Sequence, residues 1–335
     1  MDPPISFSRR TLLFAVISIV AVTAAGYTLW WYRLAAAVRQ GVDQWAVAQT
    51  SMGWQVALGD ITIGGFPFEL HLALPGPTIA DPWGDRWEGP PVIVRLSPLR
   101  PGRVHLAAPG RHGITPSGRP SIVLSAGAAA ADLAIDGDGL ATLDLQLANV
   151  TLGSTSVERL ESSLRRLAIG AVDHTTPTLA VTVAFDRLLL PTLPLGREVT
   201  QARLEARVLG RLALGNAKSS FAAWRDDGGT IEFDRLTVEW PPLAVNGSGT
   251  LALDQDLQPI LASHCTVRGL LDAIDALTLA GMLRAKDGNI AKLGLGLMGK
   301  VTADGVRQWS APVTVQDRRL SVGPFAILKV PAVQW

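Results

Sequence analysis

The residue types that do chemistry are few in this chain and far apart. Its five histidines are His71, His105, His112, His174 and His264. A zinc centre needs three or four donors, and no pair of these histidines has a ligand spacing on one element, so no metal and no cofactor is expected. Cys265 is the single cysteine, which excludes an intramolecular disulfide and a CxxC site. Its setting, "LASHCTVRGLL", is that of a small buried hydrophobe. Asp173-His174 would supply two members of a hydrolytic triad, but no nucleophile accompanies them, and a turn ahead of Pro177 is the plainer reading. Asp136-Gly137-Asp138-Gly139 opens like a calcium loop without its later ligands, and reads as a hairpin turn. GxSxG, GxxxxGK[ST], HExxH and a strand-linked GxGxxG are all missing from the sequence. An envelope hydrolase therefore ranks last among the functions considered, and no enzyme is expected.

The elements that would carry a function are clearer. From Thr11 to Trp31 the sequence holds no charged residue, preceded by Arg9-Arg10 and closed by Tyr27, Trp30, Trp31 and Tyr32. About 20 apolar residues cross a bilayer as a helix, and amphipathic rings collect at the membrane–water interface. The expectation is a cytoplasmic segment 1–10, a span 11–32, a juxtamembrane helix 33–53 and a periplasmic body 54–335, anchored in the inner membrane. A cleaved signal peptide ending near Ala25 is the competing reading. Leu34, Val38, Gly41, Trp45, Ala48 and Met52 recur at helical steps, a stripe expected to pack on the protein's own β-domain.

Beyond Trp54 the period becomes two. In "GGFPFELHLALPGP", Phe66, Phe68, Leu70, Leu72 and Leu74 alternate with smaller or polar residues. A strand would place all five on one face, the candidate ligand-binding surface for lipid or acyl chains. Leu143, Leu145 and Leu147, then Leu179, Val181, Val183 and Phe185, then Leu204, Ala206 and Val208 continue the pattern. Asp226-Asp227-Gly228-Gly229 and Asn246-Gly247-Ser248-Gly249 read as turns. The fold class is thus mainly β: an N-terminal transmembrane helix, then a large, curved antiparallel sheet with one or two packed helices. Leu270 to Leu283 is expected as a single amphipathic helix. "GDGLATLDLQL" from Gly137 is echoed by "GSGTLALDQDL" from Gly247. The echo fits two similar halves, or two uses of one hairpin grammar, with a division near residues 155–175.

Composition sets outer limits. The chain is 48% hydrophobic, with 30 Lys+Arg against 29 Asp+Glu, and a net charge of +1. Such a balance gives no general attraction to nucleic acid. Arginine far outnumbers lysine, which matters for phosphate binding only if the arginines cluster in space.

"GYTLWWYRLAAAVRQGVDQW", "GGFPF", "APGRH", "DHTTP", "GSGTLALD" with "LQP", and "LSVGPFAILKVPAVQW" together resemble the exported, mainly alphaproteobacterial proteins called domain of unknown function 2125. The resemblance implies an envelope protein with an uncleaved anchor; it carries no activity and no catalytic residues. Gly247 to Leu283 is also similar to pieces of AsmA-like envelope proteins, a local likeness that implies envelope assembly or lipid movement. The expected partners are the inner membrane, lipid and envelope-assembly proteins, with a closed structural scaffold as the alternative.

Overall fold

A computed structural model describes residues 9–191, 196–213, 217–301, 305 and 307–333. Of the segment 1–10, only Arg9 and Arg10 fall among them. The chain forms two compact units: one runs to Leu106 and takes back Gly113–Ser121, the other holds Ala107–His112 and everything from Ile122 on.

The first unit is built along one helix, α1 (Arg9–Ser51), 43 residues without a proline. At 1.5 Å per residue it is about 64 Å long. It stops where Gly53 takes φ +89°, a conformation that suits glycine. The helix is long and apolar enough to cross a membrane. Residues 14–26 are exposed all round, and the unit's β-elements meet it only from Tyr27 onward.

Those elements are β1 (Gln55–Ala57), β2 (Thr62–Gly64), β3 (Leu70–Leu74), β4 (Thr78–Ala80), β5 (Arg86–Glu88) and β6 (Val92–Ser97). β7 (Arg100–Ala107) and β8 (Gly110–Thr115) follow. β3 lies between β2 and β6, and β4 between β1 and β5, all antiparallel. Leu70 and Leu96 close a core on Trp31 and Ala35 of α1, with Leu34, Val38 and Ile63 around it. Leu34 and Val38 pack as the sequence suggests, but the stripe does not continue: Trp45 is 44% and Met52 62% exposed. The buried seat runs instead through Trp31, Ala35, Val38, Val42 and Ala46. It shares Val38 with the expected stripe and is otherwise turned from it by about 80° around the helix.

The second unit is an antiparallel meander. β9 (Ile122–Asp136), β10 (Gly139–Leu152), β11 (Thr155–Arg166), β12 (Pro177–Leu189), β13 (Glu198–Leu209), β14 (Thr230–Trp240), β15 (Leu243–Leu253) and β16 (Pro259–Arg268) each pair with the next. β16 then pairs with β18 (Arg307–Gln316), which pairs with the short β17 (Lys300–Val301) and leads to β19 (Arg319–Val322) and β20 (Phe325–Lys329). Among the described residues no pairing returns β20 to β9, so this sheet is open. Residues 155–175, the expected place for a division, hold β11 and its following turn inside this unit.

Among the described residues three helices interrupt the meander: α2 (Ala217–Asp226), α3 (Leu270–Leu279) and α4 (Ala285–Met298). The expected single helix from Leu270 to Leu283 is shorter, because the chain turns through Gly281 at φ +73°. Asn246–Gly249 is not a turn but the middle of β15. A β-carbon on Gly247 would stand 2.5 Å from the Cys265 sulfur, so glycine here serves close strand packing. The two echoed segments therefore occupy different settings, a turn before β10 and the inside of β15.

One line across the sheet breaks the side-chain alternation. Pairing passes from Ala148–Arg159 to Val150–Val157, and from Arg159–Asp186 to Val157–Leu188. The skipped residues include Asn149 (φ 51°) and Arg187 (φ 50°). Val150 and Val157 are thereby returned to the side of Leu147 and Leu160, with which they cluster. Interruptions of this kind bend the strands that carry them.

Candidate functional site

The stretch Phe66–Leu74 divides into two kinds of residue. The strand begins at Leu70, not at Phe66, because Gly65 to Glu69 form the turn of the β2–β3 hairpin. Gly65 has φ +99°, a β-carbon there would meet the Glu69 carbonyl oxygen at 2.6 Å, and the Glu69 amide donates to the Gly65 carbonyl at 3.0 Å. Leu70 and Leu72 are 0% and 3% exposed, and Leu74 is half-buried. Leu70 is enclosed by α1 and β6 and offers no surface to a ligand. Phe66 and Phe68 are 46% and 87% exposed at the turn. The turn is tied to α1 by its aromatic residues: Tyr27 Oη donates to the Pro67 carbonyl, and Trp31 Nε1 to the Glu69 carbonyl at 3.1 Å. Trp30 Nε1 donates to the Pro98 carbonyl at 3.3 Å. Trp31 meets both Tyr32 and Phe66 edge-on, at 5.2 and 5.5 Å between ring centres.

A larger apolar surface lies in the second unit. Residues directly opposite on neighbouring strands share a face. One such row runs Leu147, Leu160, Phe185, Ala202, Val238, Val245, Val267, Trp309, from β10 to β18. The next runs Leu145, Ser162, Val183, Leu204, Leu236, Gly247, Cys265, Ala311. At the β16–β18 end these rows are buried under α3 and α4, where Val267, Cys265 and Trp309 join Leu270, Ile274, Ala291 and Leu295. Trp309 Nε1 donates to the Leu295 carbonyl at 2.7 Å, locking the cover in place. Toward β10–β12 the same rows are only half-buried, through Leu145, Leu147, Leu160, Val183 and Phe185.

The opposite face is charged and self-paired. Arg159 meets Asp186 at 3.4 Å, Arg207 meets Asp234 at 2.7 Å, and Arg235 meets Glu205 at 3.3 Å. The pairing with Asp234 raises the Arg207 pKa further. Such exposed pairs add little stability each, but they mark the side that faces water. These arginines are engaged by neighbouring carboxylates and do not gather as a phosphate site. Beside α3 a cleft of about 600 Å³ is lined by Glu239, Arg268, Asp272 and Arg307, with Arg268 held by Glu239 at 3.3 Å.

The chemistry-bearing motifs are occupied by their own turns. Arg166 grips both Asp136 oxygens, at 2.6 and 2.5 Å, and donates to the Asp138 carbonyl at 2.8 Å, closing the β9–β10 hairpin. That hydrogen bond holds the Asp136 carboxyl below its ordinary range. Asp173 Oδ1 accepts from the Thr176 hydroxyl, the Thr175 hydroxyl and the Thr175 amide, at 2.7, 2.8 and 3.0 Å. The Thr176 and Thr175 hydroxyls lower its pKa to about 2. A depressed carboxyl stabilises the fold fully above its unfolded value of about 4, and that contribution drains away as the pH falls through the folded value. A carbon-13 titration should find Asp173 half-protonated at pH about 2, and Thr176→Val should move the midpoint upward. An unchanged midpoint in the variant would refute the assignment. Among the described residues, no three His, Cys, Asp or Glu side chains are placed to hold a metal ion.

A family model described as an uncharacterized protein conserved in bacteria (DUF2125) matches residues 31–331. No curated protein and no solved structure matches the chain.

Proposed function

The chain belongs to the family of uncharacterized bacterial proteins called domain of unknown function 2125, and from that premise we propose a membrane-anchored acyl-chain binder of the bacterial envelope. In this reading α1 spans the inner membrane with Arg9 and Arg10 on the cytoplasmic side, and both units lie in the periplasm. The second unit holds lipid chains against the apolar face of its open sheet, as a carrier or assembly factor and not as a catalyst.

The observation that carries the reading is the uneven cover of that face. Its apolar rows continue from β10 to β18, yet α3 and α4 bury only the β16–β18 end. Leu145, Leu160, Val183 and Phe185, only half-buried, remain beside it. A contiguous apolar surface rimmed by charge is costly in water and marks a binding site. Strands stand about 4.8 Å apart, so the four strands β10–β13 alone offer about 15 Å across, a fair part of an acyl chain's length. A sheet closed on itself would have favoured the dry scaffold; this one is open.

Native mass spectrometry of the detergent-purified full chain tests the proposal. Phospholipid or fatty-acid adducts are expected on the parent. Val183→Gln should lose them while its circular dichroism is unchanged, since Val183 is only half-buried. An adduct-free parent that also fails to bind a fluorescent fatty acid would return the protein to the scaffold reading.

A further inference from the structure

The free part of α1 is too short to cross a membrane by itself, and that has a consequence for the first unit. The β-elements of this unit first touch the helix at Tyr27, through the Pro67 carbonyl. The charge-free stretch begins at Thr11, so the residues 11–26 that precede this contact number 16 and rise about 24 Å. A hydrocarbon core of about 30 Å needs roughly 20 residues, which from Thr11 reaches Trp30. Tilt would lengthen the requirement. The Tyr27 level, and the turn fastened to it, then stands about 5 Å inside the apolar layer.

The side chains at that level suit such a position. Phe68 is 87% exposed, Leu99 in the β6–β7 turn 78%, Trp30 49% and Phe66 46%. Two turns that are remote in sequence thus present apolar tips, and both are hydrogen-bonded to the same helical segment, through Tyr27 and Trp31 for one and Trp30 for the other. Leu99 is followed by exposed Arg100, and α1 continues with exposed Arg33, both placed to meet phosphate groups just above the apolar layer. We propose that the hairpin turn Gly65–Phe68 and the β6–β7 turn at Leu99 insert into the leaflet on the unit's own side of the bilayer. The first unit would then be seated on the lipid surface as well as tethered to it. The inference rests on the reading of α1 as an uncleaved membrane anchor.

The same unit supplies its own control. Trp83 is another exposed aromatic, at 62%, but its neighbour Pro82 lies against Gly53 at the opposite end of the helix. Gly53 is 26 residues beyond Tyr27, about 39 Å along the axis, so Trp83 belongs in water. Spin labels would be attached in turn through Phe68→Cys, Leu99→Cys, Trp83→Cys and Val20→Cys in the full chain. Native Cys265 is 3% exposed and does not compete for the label. The protein would be reconstituted in phosphatidylethanolamine–phosphatidylglycerol vesicles, and collision with oxygen compared with collision with a water-soluble nickel chelate. The oxygen-to-nickel ratio should be severalfold higher at 68 and 99 than at 83, and highest at 20. A high ratio at 20 with 68 and 99 no different from 83 would overturn the insertion and leave the anchor standing. A low ratio at 20 would remove the anchor reading, and the insertion with it.

Discussion

Trp224→Ala should destabilise the second unit by about 3–5 kcal/mol, the range for emptying a large buried aromatic site. Trp224 is 2% exposed, and its indole Nε1 donates to the Leu209 carbonyl at 2.7 Å, at the end of β13. Phe221 braces the ring edge-on at 6.2 Å. The backbone gives way on the far side: a β-carbon on Gly229 would fall 2.2 Å from Nε1, so only glycine leaves the ring its room. Alanine at 224 loses both the packing and the hydrogen bond. Trp224→Phe keeps most of the ring volume and orphans the carbonyl, so its loss should fall nearer the cost of one unsatisfied buried group, about 1–3 kcal/mol. Chemical denaturation in detergent, followed by circular dichroism, gives both values. A Trp224→Ala loss under about 1 kcal/mol, no more than an average substitution, would mean that α2 does not hold the β13–β14 end closed.

Leu70→Ala and Phe68→Ala should separate widely, although the two residues are two apart in one apolar run. Leu70 has no exposed surface and sits under Trp31, Ala35 and Leu96, so its truncation should cost about 2–5 kcal/mol. Phe68 is 87% exposed, and its truncation should cost less than about 0.5 kcal/mol in detergent. Equal losses at the two positions would contradict the placement of the turn. The contrast also bears on lipid: Phe68→Ala should leave folding intact while weakening the seating of the first unit on a bilayer.

That pair shows what the sequence could and could not convey. Alternation read correctly from Leu70 onward and failed at Phe66 and Phe68, because exposed phenylalanines on a turn can mimic strand periodicity by chance. Pro67 was the available signal, since a proline inside an apparent strand argues for an edge or a turn. The meander strands were legible in Leu143–Leu147 and Leu179–Phe185, where small or polar residues fill every second place. Asn246–Gly249 misled in the other direction: Gly247 answers to Cys265 and Gly249 to Ala262 and Ser263 on β16, a partner that no local window contains. α4 was illegible for a related reason. Gly288, Gly294 and Gly296 lower its helix propensity, and tertiary packing of Ala291 and Leu295 in the cluster with Trp309 supports it. The aromatic cluster Tyr27–Tyr32 stands out in the sequence as a group of amphipathic rings, but the hydrogen bonds by which it fastens two turns depend on tertiary contacts that no local window contains.

The meander has a kinetic corollary. From β10 to β16 every strand pairs with the one just before it, so each closure except β13–β14, which must span α2, joins neighbours across a short connection and loses little chain entropy. Strands can therefore add one at a time to a growing edge as the chain emerges from its N-terminus. The β16–β18 pairing is different, because everything between Arg268 and Arg307, including α3 and α4, must appear first. Until β18 arrives, the β16 edge bearing Cys265 and Val267 waits unpaired, a template for joining another chain. A chain halted just before Arg307 should consequently be far more prone to aggregate than one halted after Gln316.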